Sequence, residues 1–129
     1  MKSLVIGSIM LMLGSNAWAE STNPADMSVE AQQRMYEIIA EYNHCMTSSM
    51  AGEQTPEKSG QERANEILLA CEAHLDGLKS HLAANNVADN LAAGMSNAFR
   101  ARSARQLMTQ TMNSMAAQES VAAENNDTP

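Results

Sequence analysis

The sequence predicts an all-α protein: a small three-helix antiparallel bundle, built as a helical hairpin plus a long third helix, with one disulfide. Three observations predict it. Apolar residues recur at steps of three and four, and no stretch shows the β-branched alternation of a strand. Capping residues stand where the periodic stretches begin, and Gly, Pro or Asn where they stop. Two cysteines lie on the apolar faces of successive stretches, equidistant from the break between them.

Ahead of the bundle, Met1-Lys2 places a positive charge before the apolar run at 4–13, and Gly14-Ser15-Asn16 leads to Ala17-Trp18-Ala19. This is the pattern of a secretory signal with a small-x-small cleavage site. Residues 1–19 are therefore expected to be a signal peptide, with the mature chain starting near Glu20. The apolar run is far shorter than the roughly 20 residues that span a bilayer, and no second run follows it. A periplasmic location is expected, or secretion by the same route, with no stable membrane insertion.

Beyond residue 19 the chain holds 15 acidic and 7 basic residues, a formal net charge of −8. Phosphate binding needs a basic surface, so nucleic acid is not an expected partner. The acid is concentrated early: residues 20–76 carry 11 acidic and 3 basic groups, whereas 77–129 carry 4 of each. About 110 residues suffice for one small domain. With Tyr36, Tyr42 and Phe99 as the only aromatics after residue 19, its core must be modest, rich in Ala and Met, and in need of extra stabilisation.

The first helix is expected over 28–50, with Ser28 as N-cap and Met35, Ile38, Ile39, Tyr42, Cys45 and Met46 on one face. The run 51–56, Ala-Gly-Glu-Gln-Thr-Pro, breaks the pattern. Ser59 followed by Glu62 is a capping box, and Leu68, Cys71, Leu75, Leu78 and Leu82 then form a heptad seam. Asn85-Asn86 ends this second helix and leaves so short a connection that the next helix must run antiparallel to it. The third helix is expected over 87–118, with Leu91, Met95, Ala98, Met108, Met112 and Met115 as its apolar stripe. From residue 119 the periodicity is lost, giving a domain at 20–118 and a disordered tail at 119–129.

Cys45 and Cys71 are expected to be bridged. Export would bring them to an oxidising compartment, and their midpoint, residue 58, falls in the interhelical loop, so an antiparallel hairpin sets them level. Closing that loop would contribute about 3.5 kcal/mol on the chain-entropy model. If reduced, the pair could join His44 and His74 as metal ligands, but His44 points about 100° around the helix from Cys45. His74 and His81 are read as hairpin surface residues.

Eight methionines lie beyond residue 19: Met27, Met35, Met46, Met50, Met95, Met108, Met112 and Met115. If the third helix runs parallel to the first, Met46, Met50, Met108, Met112 and Met115 gather at one end, where the third helix outruns the hairpin. Flexible thioethers there suit an adaptable partner-binding surface, filling of a loose core, or soft Cu(I) ligation. Arg100, Arg102 and Arg105 form a basic cluster, and Arg102 and Arg105 share a face that interrupts the third helix's apolar stripe. Glu37, Glu41 and Glu72 stand at their height as intramolecular partners; otherwise the arginines are a docking surface for an acidic partner.

No Gly-rich phosphate loop, H-E-x-x-H, G-x-S-x-G or Ser-His-Asp set is present, so no catalytic residue, enzyme activity or cofactor is expected. In layout the chain is similar to exported helical proteins such as envelope chaperones and periplasmic immunity proteins, a likeness of fold class without a shared motif. The expected function is that of a non-enzymatic periplasmic protein-binding module: immunity, inhibitor or chaperone-like. Its partner would be another protein, or a second copy in a homodimer, at Met108, Met112, Met115, Arg102 and Arg105. The alternative is a periplasmic copper-binding protein that uses Met46, Met50, Met108, Met112 and Met115.

Overall fold

The computed structural model describes residues 20–52 and 57–126, and three α-helices dominate them: α1 (Val29–Ala51), α2 (Gly60–Ala84) and α3 (Asp89–Asn126). The expected signal peptide at 1–19 lies outside the described residues. Among the described residues there is no strand, so the protein is an all-α three-helix bundle as predicted. No helix among them is long and apolar enough to cross a membrane.

Each helix start follows from local chemistry. Asn23 caps a single 3-10 turn at Pro24–Asp26 by accepting from the Ala25 amide, and Ser28 Oγ then accepts from the Ala31 amide at 3.1 Å to open α1. The segment before α1 is held down at both ends. The Thr22 amide donates to the Asn86 carbonyl at 2.8 Å, and Gln32 Nε2 donates to the Ala25 and Met27 carbonyls, each at 2.9 Å. This leaves Met27 buried under the bundle end.

At α2 the capping box is complete. Ser59 Oγ accepts from the Glu62 amide at 3.2 Å, while the Ser59 amide donates to Glu62 Oε2 at 2.9 Å. These bonds favour the charged carboxylate and hold the Glu62 carboxyl below the ordinary value of 4.5, the Ser59 backbone bond being the largest cause.

The end of α2 is a Schellman turn. The Asn86 amide donates to the Ala83 carbonyl at 3.1 Å and the Val87 amide to the Leu82 carbonyl at 3.0 Å, with Asn86 at φ 61°. Asn tolerates the left-handed region better than other non-glycine residues, and buried Val87 closes the motif against Leu82. Residues 87 and 88 are used up in this turn, so α3 begins at Asp89 and not at 87. Its first bonds run to the Ala88 carbonyl, from Leu91 and Ala92, each at 3.0 Å.

α2 is the central helix, packed against both α1 and α3, and its buried arc is accordingly wider than one heptad seam. Cys71, Leu75, Leu78 and Leu82 are buried as expected, but Ile67 is the fully buried residue of the first turns and Leu68 only half-buried. Cys45 and Cys71 form a disulfide with 5.8 Å between their Cα atoms. Around it lie Tyr42, Met46, Ile67, Leu75 and Leu107. A second cluster at the other end joins Met35, Ile38, Leu78, Leu82, Val87 and Ala92, and Phe99 packs against both. His81, expected at the surface, is half-buried: its Nε2 lies 2.8 Å from the Ala31 carbonyl, to which it donates, tying the end of α2 to the start of α1.

Two measurements test this framework. Leu75 is 2% exposed and Leu69 67%; in chemical denaturation Leu75→Ala should cost about 2–5 kcal/mol, and Leu69→Ala less than about 0.5 kcal/mol. Because the Glu62 carboxyl is depressed in the folded chain, the cap is intact above the ordinary value of 4.5 and weakens as the pH falls through the lower folded value. An NMR titration should place the Glu62 carboxyl below 4.5. Glu62→Gln should remove the acid-induced loss of amide protection in the first turn of α2.

Candidate functional site

α3 meets the hairpin through small side chains. Its buried residues are Ala92, Ser96, Ser103 and Leu107, with Met95, Phe99, Thr111 and Ser114 half-buried on the same side. The stripe expected from apolar residues is therefore misplaced on the helix. Leu91 is 42% exposed and Ala98 exposed, and only Met95 of the six faces inward. Ala and Ser at the contact allow a neighbouring backbone to come close, so the docking face of α3 is selected by size rather than by hydrophobicity. The steps from 92 through 96, 99, 103 and 107 carry a helical period that becomes visible once Ser is counted with the small residues.

Met108, Met112 and Met115 are thereby turned outward, at 57%, 63% and 58% exposure. Steps of four and three place them in one row along α3, with Met108 and Met112 on its outer side and Met115 at the edge of the cleft against the hairpin. Their level along the bundle is set by Gly60, the first residue of α2: a Cβ on Gly60 would overlap Thr111 Cγ2. α2 thus begins at the height of Thr111, and α3 runs on past it. Every residue from Met115 to Asn126 is exposed. The helix continues through 119–126, where a disordered tail was expected. These residues lack amphipathic periodicity because they touch nothing, while Ala122, Ala123 and Glu124 retain strong helix propensity. From residue 112 to residue 126 the projection spans about 22 Å.

Where α3 leaves the hairpin, Met50, Ile67, Leu107, Thr111 and Met115 border a cleft of about 320 Å³. On the other side of Met50, Arg102, Arg105, Gln106 and Asn113 border a shallow depression. Arg100, one residue from this group by register, is half-buried and pairs with Glu72 at 3.1 Å. Glu37 and Glu41 are engaged by Arg34 at 3.1 and 3.3 Å. Of the expected acidic partners only Glu72 meets an α3 arginine, and the side chains of Arg102 and Arg105 make no ion pair or hydrogen bond among the described residues.

The five methionines of the copper alternative are divided. Met46 is 2% exposed and belongs to the disulfide cluster; Met50 and Met115 share the cleft; Met108 and Met112 lie on the outer face of α3. The thiolates of the Cys–His metal reading are consumed by the disulfide. His74 Nδ1 sits 3.7 Å from Glu41, and His44 Nε2 sits 3.5 Å from the Ser48 hydroxyl.

No protein-family model, curated protein or solved structure matches the chain. The functional reading therefore rests on the geometry of α3.

The close approach at Gly60 gives a direct test of that geometry. Gly60→Ala would drive a methyl into Thr111, whose β-branched side chain has few rotamers available in a helix. It should destabilise the protein by about 1–3 kcal/mol, as overpacked contacts do. Adding Thr111→Ala to the same chain should recover most of the loss in a double-mutant cycle. Additive costs would mean that α3 does not cross α2 at this point.

Proposed function

We propose that the protein is a non-enzymatic, exported periplasmic module that binds another protein through the outer face of α3, as an immunity, inhibitor or chaperone-like factor. One observation carries the reading: Met108, Met112 and Met115 form a row, each more than half exposed, on a helix that extends past its own core. Apolar rows of this kind on soluble proteins usually have a use, and methionine accommodates partners of varied shape. Arg102 and Arg105, unpaired among the described residues, supply the polar complement, suited to acidic groups on the partner. The disulfide supports an oxidising compartment, in keeping with the export signal read at 1–19. The copper reading has less beneath it, since Met46 is committed to the core, Met50 of α1 and Met115 border the cleft, and Met108 and Met112 face outward.

The test separates binding from folding. Replacing Met108, Met112 and Met115 together with Gln preserves helix propensity and removes the apolar row. In capture from envelope extract, the tagged chain starting at Glu20 should retain a partner that the triple variant loses. The melting temperatures of the two should agree within a few degrees, because residues this exposed contribute little to the fold. A large fall in melting temperature would make these methionines core, and equal capture by both chains would move the site elsewhere.

A further inference from the structure

Seen along its outer face, α3 carries a second seam that the hairpin does not use. Ala101, Arg105, Met108, Met112, Met115, Glu119, Ala122 and Asn126 alternate in steps of four and three over about 39 Å, and all eight are exposed. Between Arg105 and Glu119 no residue is charged. Arg102 adds positive charge at one end and Glu124 adds negative charge at the other. The seam therefore reads, in order, cation, three thioethers, anion.

That order is self-complementary in one orientation only. A two-fold interface sets residue i of one copy against j of the other, and j against i. An antiparallel pair centred between Met112 and Met115 would stack Met112 on Met115 twice. It would set Met108 beside Glu119 and bring each Arg105 within one turn of the opposite Glu119. A parallel pair would stack Arg105 on Arg105 and Glu119 on Glu119, opposing like charges at both ends. The hairpin packs against Ala92, Ser96, Ser103 and Leu107 and reaches the seam only at its edges, where Met115 and Arg105 border the cleft and the depression beside Met50; all eight seam residues stay exposed.

We propose that the partner seated on this face is a second copy of the chain, joined through an antiparallel α3–α3 pair that is centred between Met112 and Met115 and keyed by Arg105 and Glu119. This rests on the proposed binding role of the face and names its occupant. The pairing is reversible and modest in strength, because its layers hold methionine and alanine where a tight zipper has leucine.

Sedimentation equilibrium of the chain from Glu20, from micromolar to millimolar concentration, reads the pairing directly. The unsubstituted chain should show a monomer–dimer equilibrium. Arg105→Glu and Glu119→Arg should each raise the dissociation constant at least about tenfold. The two together, which restore opposite charges across an antiparallel interface, should return it to within about threefold of the original value. All variants should melt with the parent, since both positions are exposed. A chain that stays monomeric throughout would overturn the proposal, as would a double variant no better than either single one. If the chain is monomeric and the triple methionine variant still loses a captured protein, only self-pairing fails and the binding face stands. If the triple variant melts early, the binding face itself fails.

Discussion

α2 is the reference for everything else in this fold, because both other helices pack along it and its register against one of them is fixed covalently. The Cys45–Cys71 bridge holds α1 and α2 level at mid-hairpin. From that point the antiparallel register places Tyr42 and Met46 over Leu75 and Ile67, and the His81–Ala31 bond closes the far end. A chain this poor in aromatic residues buries little area per residue, and a cross-link worth about 3.5 kcal/mol is a large part of the 5–15 kcal/mol typical of a domain. The hairpin is consequently the rigid part, and α3 is added to it.

α3 is added with little hydrophobic area. Leu107 is its one large fully buried side chain; Phe99 bridges the two clusters, and the remaining contact is made by Ala92, Ser96 and Ser103. Burial of hydroxyls gives back part of what close packing supplies: Ser96 Oγ, like Tyr42 Oη, has no hydrogen-bond partner among the described residues, a condition that costs about 1–3 kcal/mol per group when dry. The Arg100–Glu72 pair, whose Arg100 end is half-exposed and whose Glu72 end is mostly covered, adds on the order of 1 kcal/mol. Docking along the upper part of α3 is thus specific in register, through Gly60 against Thr111, without being strong. A helix held this way can extend past its support without straining it.

The features legible in the sequence were those that a few neighbouring residues decide. Ser28, the Ser59–Glu62 box and the Asn85-Asn86 stop each act through bonds to the backbone within four residues, and the cysteines are equidistant from a loop. The face of α3 was not legible in the same way. Hydrophobicity alone leaves Met108, Met112 and Met115 open to either a core or a binding role, because whether a methionine is covered depends on where α2 begins, which is a property of the hairpin rather than of α3. Ser96 and Ser103 gave no apolar signal although they are buried. Residues 119–126 looked structureless because amphipathicity reports packing, and a helix without neighbours has none to report. The expectation that the third helix would outrun the hairpin did follow from length alone, since a helix over 87–118 is longer than one over 28–50; the observed helix of 38 residues is longer still.

Charge decides whether two such chains can meet along α3. Each copy carries a net charge of −8 beyond residue 19, which opposes any close approach of the hairpins, where most of the acid resides. In an antiparallel pair centred at the hairpin end, the two hairpins lie on opposite sides of the paired helices and extend in opposite directions. Repulsion between those of their exposed acidic groups that lie more than a Debye length apart, about 8 Å at physiological ionic strength, is then largely screened. The Arg105–Glu119 contacts, by contrast, are made within side-chain reach and survive that screening better. Low salt strengthens both, the long-range repulsion more than the local attraction, so association through this face weakens on dilution of the buffer. The uncharged stretch between the two charged ends keeps the balance in this form: a carboxylate among the methionines would bring the repulsion to the centre of the seam, where no opposing cation is in reach.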